Sequence, residues 1–100
     1  MESKEKMYIE KRQFVEKLNF GLIMLPDLEA VEYRNISDKY SEYLRITYSG
    51  GKRRYIDVTG DSLTAISQEV SRCILGIRSD AEITHETHLA IIEGWFDAAR

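Results

Sequence analysis

Between Tyr43 and Thr59, two runs of alternating apolar and polar side chains flank a pair of glycines, a pattern that points to a β-hairpin. Leu44, Ile46 and Tyr48 alternate with Tyr43, Arg45 and Thr47. Beyond Ser49, Gly50, Gly51 and Lys52, Ile56 and Val58 alternate with Tyr55, Asp57 and Thr59. A two-residue Gly50-Gly51 turn would set Ile46 against Tyr55 and mix the two faces, which a side-chain period of two forbids. A three-residue loop that pairs Ser49 with Arg53 restores the parity. It predicts Ile46 opposite Ile56, Leu44 opposite Val58 and Tyr48 opposite Arg54 on the apolar face. On the other face it predicts Arg45 opposite Asp57, Thr47 opposite Tyr55 and Tyr43 opposite Thr59, pairs of the kind that stabilise a sheet.

The hairpin is flanked by helical patterns. Met7, Phe14, Leu18, Leu22 and Leu25 recur at helical spacing among Glu10, Lys11, Arg12, Glu16 and Lys17, which predicts a helix over residues 5–24, stopped by Pro26. Residues 28–34 read as a short strand and residues 35–39 as a polar turn. After the hairpin, Gly60, Asp61 and Ser62 end the strand and supply an N-cap. Leu63, Ile66, Val70, Cys73, Ile74 and Ile77 then form the stripe of a helix over residues 62–75, with Gly76 at its C-cap. A terminal helix over residues 86–98 carries one stripe of Leu89, Ile92, Phe96 and Ala99 and a second of Ile91, Trp95 and Ala98. Ile83, His85 and Thr87 alternate with polar residues, so the pattern leaves residues 79–87 open between helix and extended chain. The expected fold is α+β in the order α-β-β-β-α with a further terminal helix: one three-stranded antiparallel sheet, helices packed on one face and the other face at least partly wet.

The 100 residues suit a single domain over 1–100, and the apolar and charged fractions of 43% and 31% suit a folded chain. One cysteine excludes an internal disulfide, no apolar run approaches a membrane span, and residues 1–6 do not read as a signal peptide. A cytoplasmic location without membrane contact is therefore expected. The net charge of −3 is unevenly spread: residues 1–60 carry 11 basic and 10 acidic side chains, residues 61–100 carry 3 and 7. A general nucleic-acid binder needs a basic excess, so only a local patch can serve that purpose here. The first five elements come in the order found in double-stranded-RNA-binding domains. Where those domains present lysines at the start of the last helix, however, this chain has Gly60, Asp61, Ser62, Leu63 and Thr64, and no motif assigns it to a family.

The chemistry-bearing residues are few. His85 and His88, near Glu82, Glu86 and Glu93, are the nearest approach to a metal-ligand pair. A site needs three or four ligands, so no metal and no cofactor are expected. Cys73 lies in an apolar stripe, where burial raises a thiol's pKa and makes it inert. Asp57, Asp61 and Glu69 are near enough for paired-carboxylate work, but each has a simpler expected place: beside Arg45, at an N-cap and on a solvated helix face. No nucleophile, phosphate-loop or dinucleotide motif occurs, so an enzyme is not expected.

What remains are surfaces. Lys52, Arg53 and Arg54 at the hairpin tip, with Arg45, Tyr43 and Tyr55, form a candidate face for nucleic acid or for a partner. Ile91, Trp95 and Phe96 either complete the core or form a partner or dimer interface. The leading expectation is a small non-catalytic binding or accessory module acting through protein–protein contacts, including self-association as a homodimer. One alternative is a nucleic-acid-binding module using the basic hairpin. The other is an acidic inhibitor whose five carboxylates between Asp80 and Asp97 mimic phosphates on a nucleic-acid enzyme.

Overall fold

The computed structural model describes residues 2–22, 25–36 and 40–98. Helix α1 (Glu2–Leu22) leads through a turn into strand β1 (Leu28–Ile36), followed by β2 (Ser41–Tyr48), β3 (Arg53–Asp57), α2 (Leu63–Ile74) and α3 (Glu86–Ala98). The strands form one antiparallel sheet in the order β1-β2-β3. The α+β class and the element order follow the sequence reading. Among the described residues no helix is long and apolar enough to cross a membrane.

The hairpin corrects the expected register. Leu44 lies opposite Ile56, Arg45 opposite Tyr55 and Ile46 opposite Arg54, so neither Ile46–Ile56 nor Arg45–Asp57 is a cross-strand pair. The loop is Ser49, Gly50 and Gly51: Tyr48 N–H donates to the Lys52 carbonyl at 2.7 Å, and Gly51 N–H donates to the Tyr48 carbonyl at 3.0 Å. Gly50 and Gly51 have φ of 89° and 86°. The expected loop would have put Lys52 at its third position, where three-residue hairpins commonly need a left-handed backbone; the observed loop puts Gly51 there. The slip is two residues along the partner strand, so parity survives and Leu44, Ile46, Ile56 and Val58 still share one face.

That face carries the larger core. Val15 from α1, Val31 and Tyr33 from β1, and Ile66, Val70 and Cys73 from α2 close over Leu44, Ile46, Ile56 and Val58. The buried seam of α1 runs Tyr8, Lys11, Val15, with Leu18 and Leu22 half-buried beyond. It is rotated from the predicted stripe, because Val15 takes the central place and Phe14 only half-buries. Leu25 stands 37% exposed in the turn at Pro26, where Leu28 N–H donates to the Leu25 carbonyl at 3.3 Å. The expected last residues of this helix, 23 and 24, lie outside the described residues, as do 37–39 of the expected polar turn and Ala99 of the terminal stripe. Asn35 and Ile36 belong to β1 rather than to that turn.

Helix α2 is capped as its sequence requires. Ser62 Oγ accepts from Ala65 N–H at 3.1 Å. At the other end Gly76 takes φ 74°, while Ile77 N–H donates to the Arg72 carbonyl (2.8 Å) and Gly76 N–H to the Cys73 carbonyl (3.2 Å), a Schellman ending. Its buried stripe is narrower than predicted, since Leu63, Ile74 and Ile77 are exposed.

The chain then crosses the open side of β3. Asp57 N–H donates to the Ala81 carbonyl (2.9 Å) and Ile83 N–H to the Tyr55 carbonyl (2.8 Å), with Ile56 opposite Glu82. Residues 81–83 are thus extended, and they cover an edge that would otherwise present unpaired backbone groups. This crossing delivers α3 to the opposite face of the sheet. There Ile92 and Phe96 bury Tyr43 and Tyr55 in a second core, with Trp95 and Leu89 half-buried beside them. The expectation that all helices pack on one face fails for α3: the face read as wet carries two tyrosines, and these meet the terminal apolar stripe.

Candidate functional site

The three cations of the hairpin tip are separated by strand alternation. Arg53 points toward the α3 side, where its Nη1 donates to Glu93 Oε2 at 3.1 Å. Arg54 points toward α2. Its Nη2 and Nε donate to Glu82 Oε1 at 2.7 and 3.2 Å, and its Nη1 donates to the Tyr48 hydroxyl at 3.2 Å. Tyr48 in turn donates to the Cys73 carbonyl at 2.9 Å, tying the hairpin to the last turn of α2. The Glu82 hydrogen bond holds the Arg54 pKa above the ordinary arginine value, and burial pushes the Tyr48 and Cys73 pKa values up. Lys52, at the end of the loop, makes no ion pair among the described residues.

The Schellman turn after α2 brings a fourth cation, Arg78, to the same place. Between the tip and this turn lies a cleft of about 630 Å³. Lys52, Arg53, Arg54 and Arg78 line it against two carboxylates, Asp27 and Glu82. Glu82 is consumed by Arg54, and Arg78, like Lys52, has no ion pair among the described residues. The cleft is therefore electropositive on a chain whose net charge is negative. Tyr48, Cys73, Ile74 and Gly76 complete its lining, and Leu75 and Ile77, between and beyond the last two, are 72% and 51% exposed.

No protein-family model, curated protein or solved structure matches this chain.

The other sequence candidates lie elsewhere. Tyr43, Arg45 and Tyr55 are buried under α3, so no stacking face for bases exists on that side. Arg45 donates to Glu32 Oε1 at 2.8 Å and to Asp97 Oδ1 at 2.8 Å, with its guanidinium 5.0 Å from the Phe96 ring centre. Burial alone would lower its pKa, but the bonds to Glu32 and Asp97 outweigh that effect and raise it. Tyr43 sits edge-on to His88 and against Trp95, and the Tyr55 hydroxyl donates to Glu93 at 3.0 Å. Of the terminal aromatic set, Phe96 is core, Trp95 is half-buried and Ile91 is exposed. Among the described residues no group of three or more metal-ligating side chains forms around His85 and His88. Three of the five carboxylates between Asp80 and Asp97 are held by arginines: Glu82 by Arg54, Glu93 by Arg53 and Asp97 by Arg45.

Two polar groupings depart from the sequence reading. Lys11, one of the charged residues interleaved with the predicted stripe of α1, is buried and donates to Glu42 Oε1 at 2.7 Å, where the Tyr33 hydroxyl also donates at 2.7 Å. Gly60 N–H donates to Glu42 Oε2 at 2.8 Å. This buried network links α1, β1, β2 and the turn that precedes α2. Beside it, the carboxylates do converge: burial first, then Glu69, pushes the Asp61 pKa above its ordinary value, with Lys11 opposing. Ser62, not Asp61, is the N-cap; Asp57 accepts from Thr59 N–H at 2.9 Å, and one Glu69 oxygen is buried without a hydrogen-bond partner among the described residues. A group whose pKa rises on folding stabilises fully below its unfolded pKa, and that contribution is lost as pH rises through the folded value. Asp61→Asn is therefore expected to raise Tm at pH 7. The gain should vanish below about pH 3.8, where the aspartate is neutral in both states; equal gains at both pH values in thermal melts would refute the assignment.

Proposed function

We propose that the chain is a non-catalytic binding module that holds a protein partner in the cleft between the β2–β3 tip and the turn after α2. The observation that carries this reading is the pairing of two cations without an ion pair among the described residues, Lys52 and Arg78, with exposed aliphatic side chains, Ile74 in the lining and Leu75 and Ile77 beside it in the chain. Free cations beside exposed large apolar groups are a costly surface in isolation and a useful one at an interface, where apolar anchors supply affinity and charges supply register. Catalysis is not supported: the nearby thiol is buried with a raised pKa, and Arg54 and Tyr48 are already bonded within the fold.

The nucleic-acid reading loses its stacking aromatics to the second core and keeps only the tip cations. The phosphate-mimic reading loses three carboxylates to internal ion pairs. The test is a photo-crosslinking amino acid placed at Ile77, at Leu75 and, as a control, at Glu10, an exposed residue of α1 outside the cleft lining, in cells that express the protein. Discrete protein adducts at 75 and 77, absent at 10 and lost in Lys52→Glu/Arg78→Glu, are expected. Adducts of equal yield at all three positions, or nucleic acid as the captured species, would reject the proposal.

A further inference from the structure

Resting on that reading, we infer that the occupant of the cleft is an acidic peptide segment that carries a large apolar side chain near its carboxylates. The chemistry follows from what the fold has already neutralised. Arg54 is spent on Glu82 and Arg53 is shared with Glu93, so the cleft offers two cations without an ion pair among the described residues, Lys52 and Arg78, which outnumber the one such carboxylate, Asp27, and lie with the exposed aliphatic residues at the end of α2. Two separate cations suit two separate carboxylates. The aromatic residue lining the cleft, Tyr48, is half-buried against the larger core and makes a poor platform for the stacked bases of a nucleic-acid strand. The exposed Leu75 and Ile77 gain nothing from a phosphate chain and gain burial from an apolar partner residue.

A second copy of the chain is also disfavoured. A two-fold interface centred on the cleft would set it against its own image and oppose like charges. A head-to-tail contact would close into a ring or grow into filaments, and either would sediment as an oligomer.

The experiment is selection of random dodecapeptides displayed on phage against the wild-type protein, with Lys52→Glu/Arg78→Glu as counter-target. Fluorescence anisotropy of the recovered peptide and of oligothymidylate follows. All substituted positions are exposed, and circular dichroism verifies that each variant folds. Enrichment of peptides with acidic residues around Leu, Ile or Phe is expected. Their affinity should fall about tenfold in Lys52→Glu/Arg78→Glu and a few-fold in Leu75→Ser, and it should weaken as salt rises. Enrichment of basic or neutral peptides that still need the cleft would overturn the acidic chemistry while leaving the proposed binding site standing. Tighter binding of oligothymidylate, or no enrichment at all, would overturn both. Crosslinks at 75 and 77 to a protein lacking acidic segments would overturn this inference alone.

Discussion

Replacing Lys11 with methionine is expected to lower the unfolding free energy by about 3 kcal/mol, because it strips a buried carboxylate of its counter-charge. The methionine fills the space of the lysine stem, so packing is nearly conserved and the loss is electrostatic. Glu42 would keep the Tyr33 hydroxyl and the Gly60 amide as donors, but not a positive charge, and almost none of its surface is open to water. The contrast is with Arg53–Glu93, an ion pair whose two partners are about four-tenths exposed. Arg53→Ala is expected to change stability by less than about 1 kcal/mol. Urea denaturation followed by circular dichroism measures both. The double variant Lys11→Met/Glu42→Gln should recover much of the loss, since the uncompensated charge is gone, and the cycle gives the coupling between the two residues. If Lys11→Met proved as mild as Arg53→Ala, or if the second substitution deepened the loss, the pair would not be the pin that joins α1 to the sheet.

Lys11 also shows where reading the chain reaches its limit. It stands between Glu10 and Arg12, and by local composition it belongs to a solvated face. Only its spacing, three residues after Tyr8 and four before Val15, marks it as part of the buried seam, and burial of a lysine makes sense only once Glu42 is known to wait across the interface. The element order, the capping of α2 at Ser62 and Gly76, and the alternation of β2 and β3 were legible because each depends on neighbours within a few residues. The hairpin register was legible to its parity but not to its step, because two three-residue loops keep the same faces and differ only in which residue takes the left-handed position. For the cleft, the run Lys52, Arg53, Arg54 was plain. That two of these cations are neutralised by Glu82 and Glu93 depends on contacts 28 and 40 residues distant, as does the arrival of Arg78 from beyond the α2 cap. Gly76 was the one available signal for Arg78: it marked a sharp reversal after α2, and the next cation follows two residues later.

The placement of α3 was the largest miss, and it sets up the other large effect. Phe96→Ala is expected to cost about 3–5 kcal/mol, the range for emptying a fully buried aromatic site. The Phe96 ring packs on Tyr55 at 5.7 Å between centres and lies under the Arg45 guanidinium, so its removal leaves a cavity in the second core and loosens the bonds from Arg45 to Glu32 and Asp97. The two cores share β2 and β3, whose odd-numbered side chains enter one and even-numbered side chains the other. A strand cannot hold one face and release the other without losing its ladder, so the whole domain should unfold in one transition. Trp95, which rests against Tyr43, reports on α3 through its fluorescence, while circular dichroism sums all three helices, of which α1 is the longest. In the parent and in Phe96→Ala the two signals are expected to change at the same urea concentration, with both midpoints lowered together in the variant. If the fluorescence transition instead preceded the other, or if Phe96→Ala shifted fluorescence alone, α3 would be an appendage on a two-helix fold. The face bearing Tyr43, Arg45 and Tyr55 would then be available to a partner after all.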